Sequence, residues 1–294
     1  MTASCSTHSQ EIQEGTRFPF GHNWTRFIAN LGEEQIRESQ RALREMLQRE
    51  TLDGLTFLDA GSGSGLSSLA ARRLGAQVHS FDYDPASVGA SQAVRDRFAP
   101  NDPLWHIEQG SLLDPAYLDG LPLFDIVYSW GVLHHTGSMW QAMEYLRSRV
   151  KPGGLLFIAL YNDTGSSARN WRKVKKLYCS GTPGRWLVMT LFAPKEFLFP
   201  FIRDVARLRN PLRRYREYIR RRGMSRFHDW LDWLGGLPYE VAKPEHILHF
   251  FRPYGFHLLR LSTEKRIGNN QFVFRLDEPE HNRPAQETPS TGGD

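Results

Sequence analysis

A chain of 294 residues is long enough to bury one large core, or a core with a sizeable insertion. Its 37 Lys and Arg nearly balance 32 Asp and Glu, and 40% of its residues are hydrophobic, which excludes a disordered, collagenous or membrane-embedded class. The two cysteines, Cys5 and Cys179, stand far apart without metal-ligand spacing, which argues against a disulfide scaffold or a metal site and suits a reducing cytosol.

The opening MTASCSTHSQEIQEG carries neither a basic stretch nor an apolar core, so no secretory signal is expected. No uninterrupted apolar run reaches the roughly 18 residues of a spanning helix, and the expected location is the cytoplasm. Residues 1–16 and 278–294 lack apolar periodicity and read as disordered ends. GTRFPFGHNWTRF (15–27) is aromatic and punctuated by Pro19 and Gly21, which reads as an ordered, extended segment. Ile36, Leu43 and Leu47 then recur at helical spacing, so residues 17–50 form an aromatic segment followed by a helix.

From 51 to 162 strand and helix patterns alternate. LTFLDA (55–60) is a short apolar strand, followed by a glycine loop and a helix over 66–74. AQVHSFD (76–82) is a second strand and DPASVGASQAVRDRF (84–98) a second helix. LWHIEQG (104–110) and FDIVYSW (124–130) are the third and fourth strands, and SMWQAMEYLRSRV (138–150) is helical. KPGG (151–154) turns into a fifth strand, LLFIALYN (155–162). Alternation at this pitch predicts an α/β protein with a doubly wound, Rossmann-like sheet of five parallel strands and a ligand site at their carboxyl ends. YGFHLLRLSTEKRIGNNQFVFRL (254–276) reads as two strands joined at IGNN, a hairpin over 251–277 that closes the sheet antiparallel.

Residues 163–250 break the alternation as a basic, aromatic, helical insertion after the fifth strand. Within it, 163–228 holds 17 Lys or Arg against 4 Asp or Glu, while the rest of the chain carries 20 against 28. Two readings stand: a partner surface for anions, lipid headgroups or nucleic acid, or a solvated arginine-rich face. The apolar stretch 186–202 is interrupted by Pro194, Lys195, Glu196 and Pro200 and cannot span a bilayer. It is either the insertion's own core or a segment lying in a membrane interface.

Candidate chemistry begins at LDAGSGSGLSS (58–68). A glycine loop between strand and helix offers backbone N–H groups and lets a ligand approach where a side chain would clash. The dinucleotide pattern G-x-G-x-x-G/A is not met, because Leu66 stands at its third position, and no Lys-Ser or Lys-Thr follows as a phosphate-binding P-loop requires. Asp82 ends the second strand 21 positions after Gly61, the place from which a carboxylate grips a ribose diol. Asp84, before Pro85, suits a helix N-cap.

FLDAGSGSGLSSLAARRLGAQVHSFDYDP resembles the nucleoside-binding half of class I S-adenosylmethionine-dependent methyltransferases. EQGSLLD, FDIVYSWGVLHHTGSMWQAM and VKPGGLLFIALYN are similar to the later motifs of that family, in order and spacing, over about residues 57–162. The branch resembled is that of ubiquinone-biosynthesis and other small-molecule methyltransferases. The resemblance implies S-adenosyl-L-methionine as cofactor, with Asp59 and the loop Gly61, Ser62, Gly63, Gly65 at its methionine part and Asp82 on its ribose hydroxyls. It places Tyr83 along the adenine, Ser111 and Leu112 at the adenine edge, and Ser129 and Trp130 at the methionine end. Ser111 departs from the aspartate that many relatives carry there. Residues 17–50, with Asn23 and Trp24, would cover the cofactor, and 163–250 would cap the acceptor.

Methyl transfer needs an aligned nucleophile, exclusion of water and, for a hydroxyl, removal of a proton. His134 and His135, in LHHTG after the fourth strand, are base candidates, His135 preferred; a loop-stabilising role is the alternative. The expected function is therefore methyl transfer, O-methylation foremost, to a small-molecule or lipid-like acceptor, without a metal and with membrane contact through the basic insertion. An RNA methyltransferase is the alternative enzyme, although no Asp/Asn-Pro-Pro-aromatic tetrapeptide and no Cys beside Pro is present at a motif position. A non-catalytic cofactor-binding protein is the third class.

Overall fold

The computed structural model describes residues 8–278 except 212, 214, 217 and 219–225. Seven strands, β1 (Thr56–Ala60), β2 (Gln77–Asp82), β3 (Trp105–Gln109), β4 (Phe124–Trp130), β5 (Val150–Tyr161), β6 (Phe256–Ser262) and β7 (Asn269–Leu276), form one sheet in the order β3-β2-β1-β4-β5-β7-β6. The first five are parallel; β7 runs antiparallel to β5 and β6 antiparallel to β7. The order reverses between β1 and β4, which opens a crevice at their carboxyl ends. The doubly wound architecture read from the strand–helix alternation is thus the one observed.

Both faces of the sheet are buried, and period-two alternation divides the strand residues between them. Phe57, Ile126, Phe157 and Val273 face one way, against α3 (Glu33–Leu47), α4 (Leu66–Arg73) and α5 (Pro85–Phe98). Leu58, Val127, Ile158 and Phe272 face the other, against α6 (Pro115–Gly120) and α7 (Met139–Arg147). As Asp84 and Pro85 suggest, Asp84 caps α5 by accepting from the Ala86 amide.

Several expected boundaries move. The stretch 1–16, read as disordered, holds a short helix, α1 (His8–Gln13). The aromatic segment is helical from Gly21, as α2 (Gly21–Ala29), and not extended. Its start is capped from outside, because the Gly21 amide donates to Asp84 Oδ2 at 2.8 Å, and Phe27 and Ile28 pack into the core. KPGG lies inside β5 as a bulge: β4 advances from Phe124 to Ile126 while β5 advances from Val150 to Leu155. The hairpin turns over 263–268, and Asn269 and Asn270 of the expected IGNN turn are already in β7.

The insertion folds around its own apolar centre. α8 (Ser166–Cys179) is followed by α9 (Thr182–Ala193), a π-helical turn (Pro194–Leu198) and α10 (Phe199–Ala206). Tyr178, Val188, Trp230 and Leu234 are its buried residues. The insertion also ends earlier than 250. Ala242 bridges Asn162, and Ile247 and Phe251 of the helix Pro244–Phe251 are buried in the sheet's own core.

Candidate active site

The three glycines after β1 all have left-handed backbone: φ is +88° at Gly61, +54° at Gly63 and +77° at Gly65. Each also stands where a side chain would collide. A Cβ on Gly61 would lie 2.4 Å from Val132, one on Gly65 2.9 Å from the Ser91 backbone, and one on Gly63 3.1 Å from the Trp24 indole nitrogen. The loop is held to β2 by the Gly61 and Ser62 amides, which both donate to the Phe81 carbonyl. Ser62 is buried, its hydroxyl on Ser91 Oγ at 3.0 Å.

Asp82, at the tip of β2, binds this loop's backbone directly. Its Oδ2 accepts from the Gly63 amide and its Oδ1 from the Asp84 amide, each at 2.9 Å. Tyr83 adds a third backbone hydrogen bond, and the roughly four acceptor sites of a carboxylate leave capacity for another donor. Burial lifts its pKa to about 6 against the opposing pull of these amides. Asp59 is buried deeper, and a chain of donors ends on it. Trp105 Nε1 donates to Ser80 Oγ at 2.8 Å, Ser80 and Ser68 share a hydroxyl bond at 2.7 Å, and Ser68 Oγ donates to Asp59 Oδ2. Burial pushes Asp59 to about 7, with the neighbouring Asp82 charge adding to the rise. Nothing in the spacing of Ser68, Ser80 and Trp105 announces this chain, because three strands and a helix supply it.

Three expected contacts take another form. Leu112 turns its side chain into the core, leaving only its backbone to face a ligand. Ser111 Oγ accepts from the Leu113 amide, which folds the loop and occupies one of its lone pairs. Ser129 is fully buried and donates to the Ala60 carbonyl at 2.9 Å, tying β4 to β1. Trp130, by contrast, is exposed at the tip of β4 with its indole N–H on Gln271.

The N-terminal segment closes over this rim. Trp24 sits on Gly63 and edge-on to Phe27. The Arg17 guanidinium lies 5.1 Å over the Tyr83 ring and donates to the His135 carbonyl at 3.1 Å. His8 meets the Tyr83 ring edge-on. Arg17 is a residue the sequence reading passed over; only its place in an aromatic run hinted at a role.

His134 and His135 are buried in a short 3₁₀ turn, Leu133–His135. His134 Nδ1 accepts from the Tyr161 amide, and its ring lies 3.9 Å from that of Tyr161. Burial holds it well below the usual histidine range. His135 Nδ1 lies 2.7 Å from the Pro238 carbonyl and must donate to it, which leaves Nε2 as the accepting nitrogen. Burial, aided by the charges of Lys175 and Arg17, brings His135 down to about 3. Both rings are therefore neutral throughout the physiological range, and neither titrates near 6.5.

Beyond Pro238 lies a cavity of about 510 Å³, lined by Gly137, Arg172, Cys179, Pro238, Tyr239 and Glu240 among others. The Tyr239 hydroxyl is buried there without a hydrogen-bond partner. Behind it Lys175, fully buried, bonds the Trp233 carbonyl between the Trp233 and Tyr239 rings. Burial lowers Lys175 to about 7. It departs from the solvated face that Arg169, Arg172, Lys173 and Lys176 of the same helix present. On the far strands of the sheet, His79, His106 and Glu108 gather within 4.8 Å, the carboxylate bridging both imidazoles.

A family model described as a methyltransferase domain matches residues 31–253. The ubiquinone biosynthesis O-methyltransferase of Brucella melitensis is 31% identical over 118 residues, 38% of this chain and 44% of that protein. Its namesake from a Methylobacterium species is 31% identical over 127 residues, 41% and 47%. The matching region spans less than half the length of these curated relatives. Among solved structures, a magnesium protoporphyrin IX methyltransferase from Synechocystis with bound S-adenosylmethionine superposes with a TM-score of 0.54 at 13% identity, over 94% of this chain and 100% of that one. An O-methyltransferase family protein from Burkholderia thailandensis gives 0.52 at 14% identity, over 84% and 58%. At these identities the two structures establish the fold.

Proposed function

The chain belongs to the methyltransferase-domain family and is an S-adenosylmethionine-dependent methyltransferase; from that premise we propose that it methylates a small or lipid-like acceptor on oxygen. The observation that carries the site assignment is the clamp between Asp82 and the glycine loop. A desolvated carboxylate at a strand tip, with acceptor capacity left beside its backbone bonds, suits the hydroxyls of a ribose. Asp59 and the loop 61–65 suit the methionine part, because three left-handed glycines leave bare backbone at 61, 63 and 65 and a buried carboxylate precedes them in the chain. Tyr83, fixed by Arg17 and His8, offers the adenine a ring face, and the backbone at 111–112 offers its edge hydrogen bonds. Ser129 contributes through the placement of β4.

When bound, the cofactor's sulfonium supplies an electrophilic methyl group. The chain's task is to align the acceptor and keep water out. Trp24 over Gly63 and Arg17 across Tyr83 and His135 close the rim. The cavity behind Pro238 gives an acceptor room. His135 Nε2 accepts a hydrogen bond from the acceptor hydroxyl and orients it. Burial, Lys175 and Arg17 disfavour a charged His135, so its Nε2 takes the hydroxyl proton only as the oxygen–methyl bond forms and makes that proton strongly acidic. His134 has its Nδ1 committed to the backbone and holds the turn. The O-methyltransferase names of the matched relatives support the choice of oxygen.

The test is transfer of labelled methyl from S-adenosylmethionine into extracts of cells lacking the protein, followed by mass spectrometry of the labelled product. A methoxy-bearing metabolite is expected. Label in RNA, or no label with intact cofactor binding, contradicts the acceptor assignment.

A further inference from the structure

The insertion carries an apolar surface that the described residues leave exposed. α9, the π-helical turn and α10 run without a break over 182–206, about 37 Å at helical rise. One side is used internally, where Val188, Phe192 and Phe197 pack with Tyr178, Trp230 and Leu234. The other side is apolar as well. Trp186 is 68% exposed, Leu191 64%, Phe199 62% and Ile202 52%, with Leu187 and Leu198 exposed between them. One face of the stretch is the insertion's own core, and the opposite face is exposed. Isolated exposed hydrophobic residues are ordinary; a continuous run of this size marks a docking surface.

The charges around the patch identify what docks there. Over 182–210 the exposed charged residues are Arg185, Lys195, Arg203, Arg207 and Arg209. No carboxylate is exposed in that stretch: Glu196 is half-buried and paired with Arg226 at 3.2 Å, and Asp204 is buried. A second copy of the same face would bring cation against cation. An anionic bilayer meets both requirements, with an acyl boundary for Trp, Leu and Phe and headgroup phosphates for Arg and Lys. We propose that 182–206 docks the protein on an anionic lipid surface, lying in the plane of the interface. No helix among the described residues is long and apolar enough to cross a membrane. Docking is independent of the methyl-transfer assignment, since it involves neither the glycine loop nor Asp82.

The experiment is flotation of the full chain with vesicles of phosphatidylcholine alone or with 40% phosphatidylglycerol (about 40 mol%), at low and about 0.5 M salt. Anionic vesicles should bind at least about tenfold more protein than neutral ones, and salt should weaken binding several-fold without abolishing it. The variant Leu191→Glu/Phe199→Glu/Ile202→Glu should lose at least about tenfold in partitioning, the order expected for replacing three exposed apolar contacts by charges in an interface. Its S-adenosylhomocysteine affinity and circular dichroism should be unchanged, which separates docking from both the cofactor assignment and misfolding. Three results overturn the proposal: equal flotation of variant and parent, equal binding to both vesicle types, or a parent that does not float but elutes as a dimer which the variant dissociates.

Discussion

Replacing His135 by Asn isolates the energetic consequence of burying a neutral imidazole. Asn Nδ2 can still donate to the Pro238 carbonyl, so the 2.7 Å contact has a substitute while the titratable group is gone. In the folded protein His135 protonates only near 3, whereas in the unfolded chain it has the ordinary value of 6.5. A depressed folded value means that stability is full above 6.5 and lost as pH falls from 6.5 toward 3, because the unfolded state takes up a proton that the folded state refuses. From pH 8 to pH 5 that loss is about 2 kcal/mol. Asp59 and Asp82, raised to about 7 and 6, act in the opposite direction, gaining stability as pH falls through those values. The total pH profile therefore mixes signs, and only the difference between parent and variant reports the imidazole. Urea unfolding of both proteins at pH 8, 6.5 and 5 should show the parent's advantage shrinking by about 2 kcal/mol. Parallel profiles, constant within about 0.5 kcal/mol, would refute the burial of a neutral His135.

Three further outcomes follow from the same geometry. Gly61→Ala should cost about 2–4 kcal/mol, from a left-handed φ and the clash with Val132; adding Val132→Ala should return the steric part but not the backbone part in thermal unfolding. Cofactor affinity should fall about tenfold between pH 7.5 and pH 5, because Asp82 must be ionised to accept from the ribose and its free-protein value is about 6; calorimetry that finds affinity flat over this range contradicts the ribose role. For Lys175, lowered from 10.5 to about 7, the unfolded chain holds a proton between those values that the folded one has lost, so stability rises with pH. Relative to Lys175→Met, the parent should gain about 2.5 kcal/mol between pH 7.5 and 9.5, measured by denaturant unfolding.

Much of the core was legible because local signals agreed with the global fold. The strands around Phe57, Val127 and Ile158 read as apolar runs because both sheet faces are covered, and Asp84-Pro85 marked the start of α5. Asp82 was legible because a parallel sheet places a carboxylate at the end of β2 beside the loop that follows β1. Other features arise only from tertiary contacts. α2 was misread as extended because its cap is Asp84, 63 positions away. Ser129 and Leu112 sit at motif positions, but strand alternation turns Ser129 inward and the turn after β3 buries Leu112, distinctions that a motif without its fold does not carry. Lys175 is one of 17 basic residues in 163–228, and only the packing of Trp233 and Tyr239 sets it apart. Arg220, Arg221 and Arg222 of the same segment lie outside the described residues.

The central claim is that the clamp between Asp82 and the glycine loop holds S-adenosylmethionine, and isothermal calorimetry with S-adenosylhomocysteine tests it without knowledge of the acceptor. The parent protein should bind the nucleoside and show no heat with NAD. Asp82→Ala should bind about 2–4 kcal/mol more weakly, the cost of losing charge-assisted hydrogen bonds, with its unfolding transition still cooperative. An Asp82→Ala protein that binds normally, or a parent that binds NAD and not S-adenosylhomocysteine, would contradict the assignment.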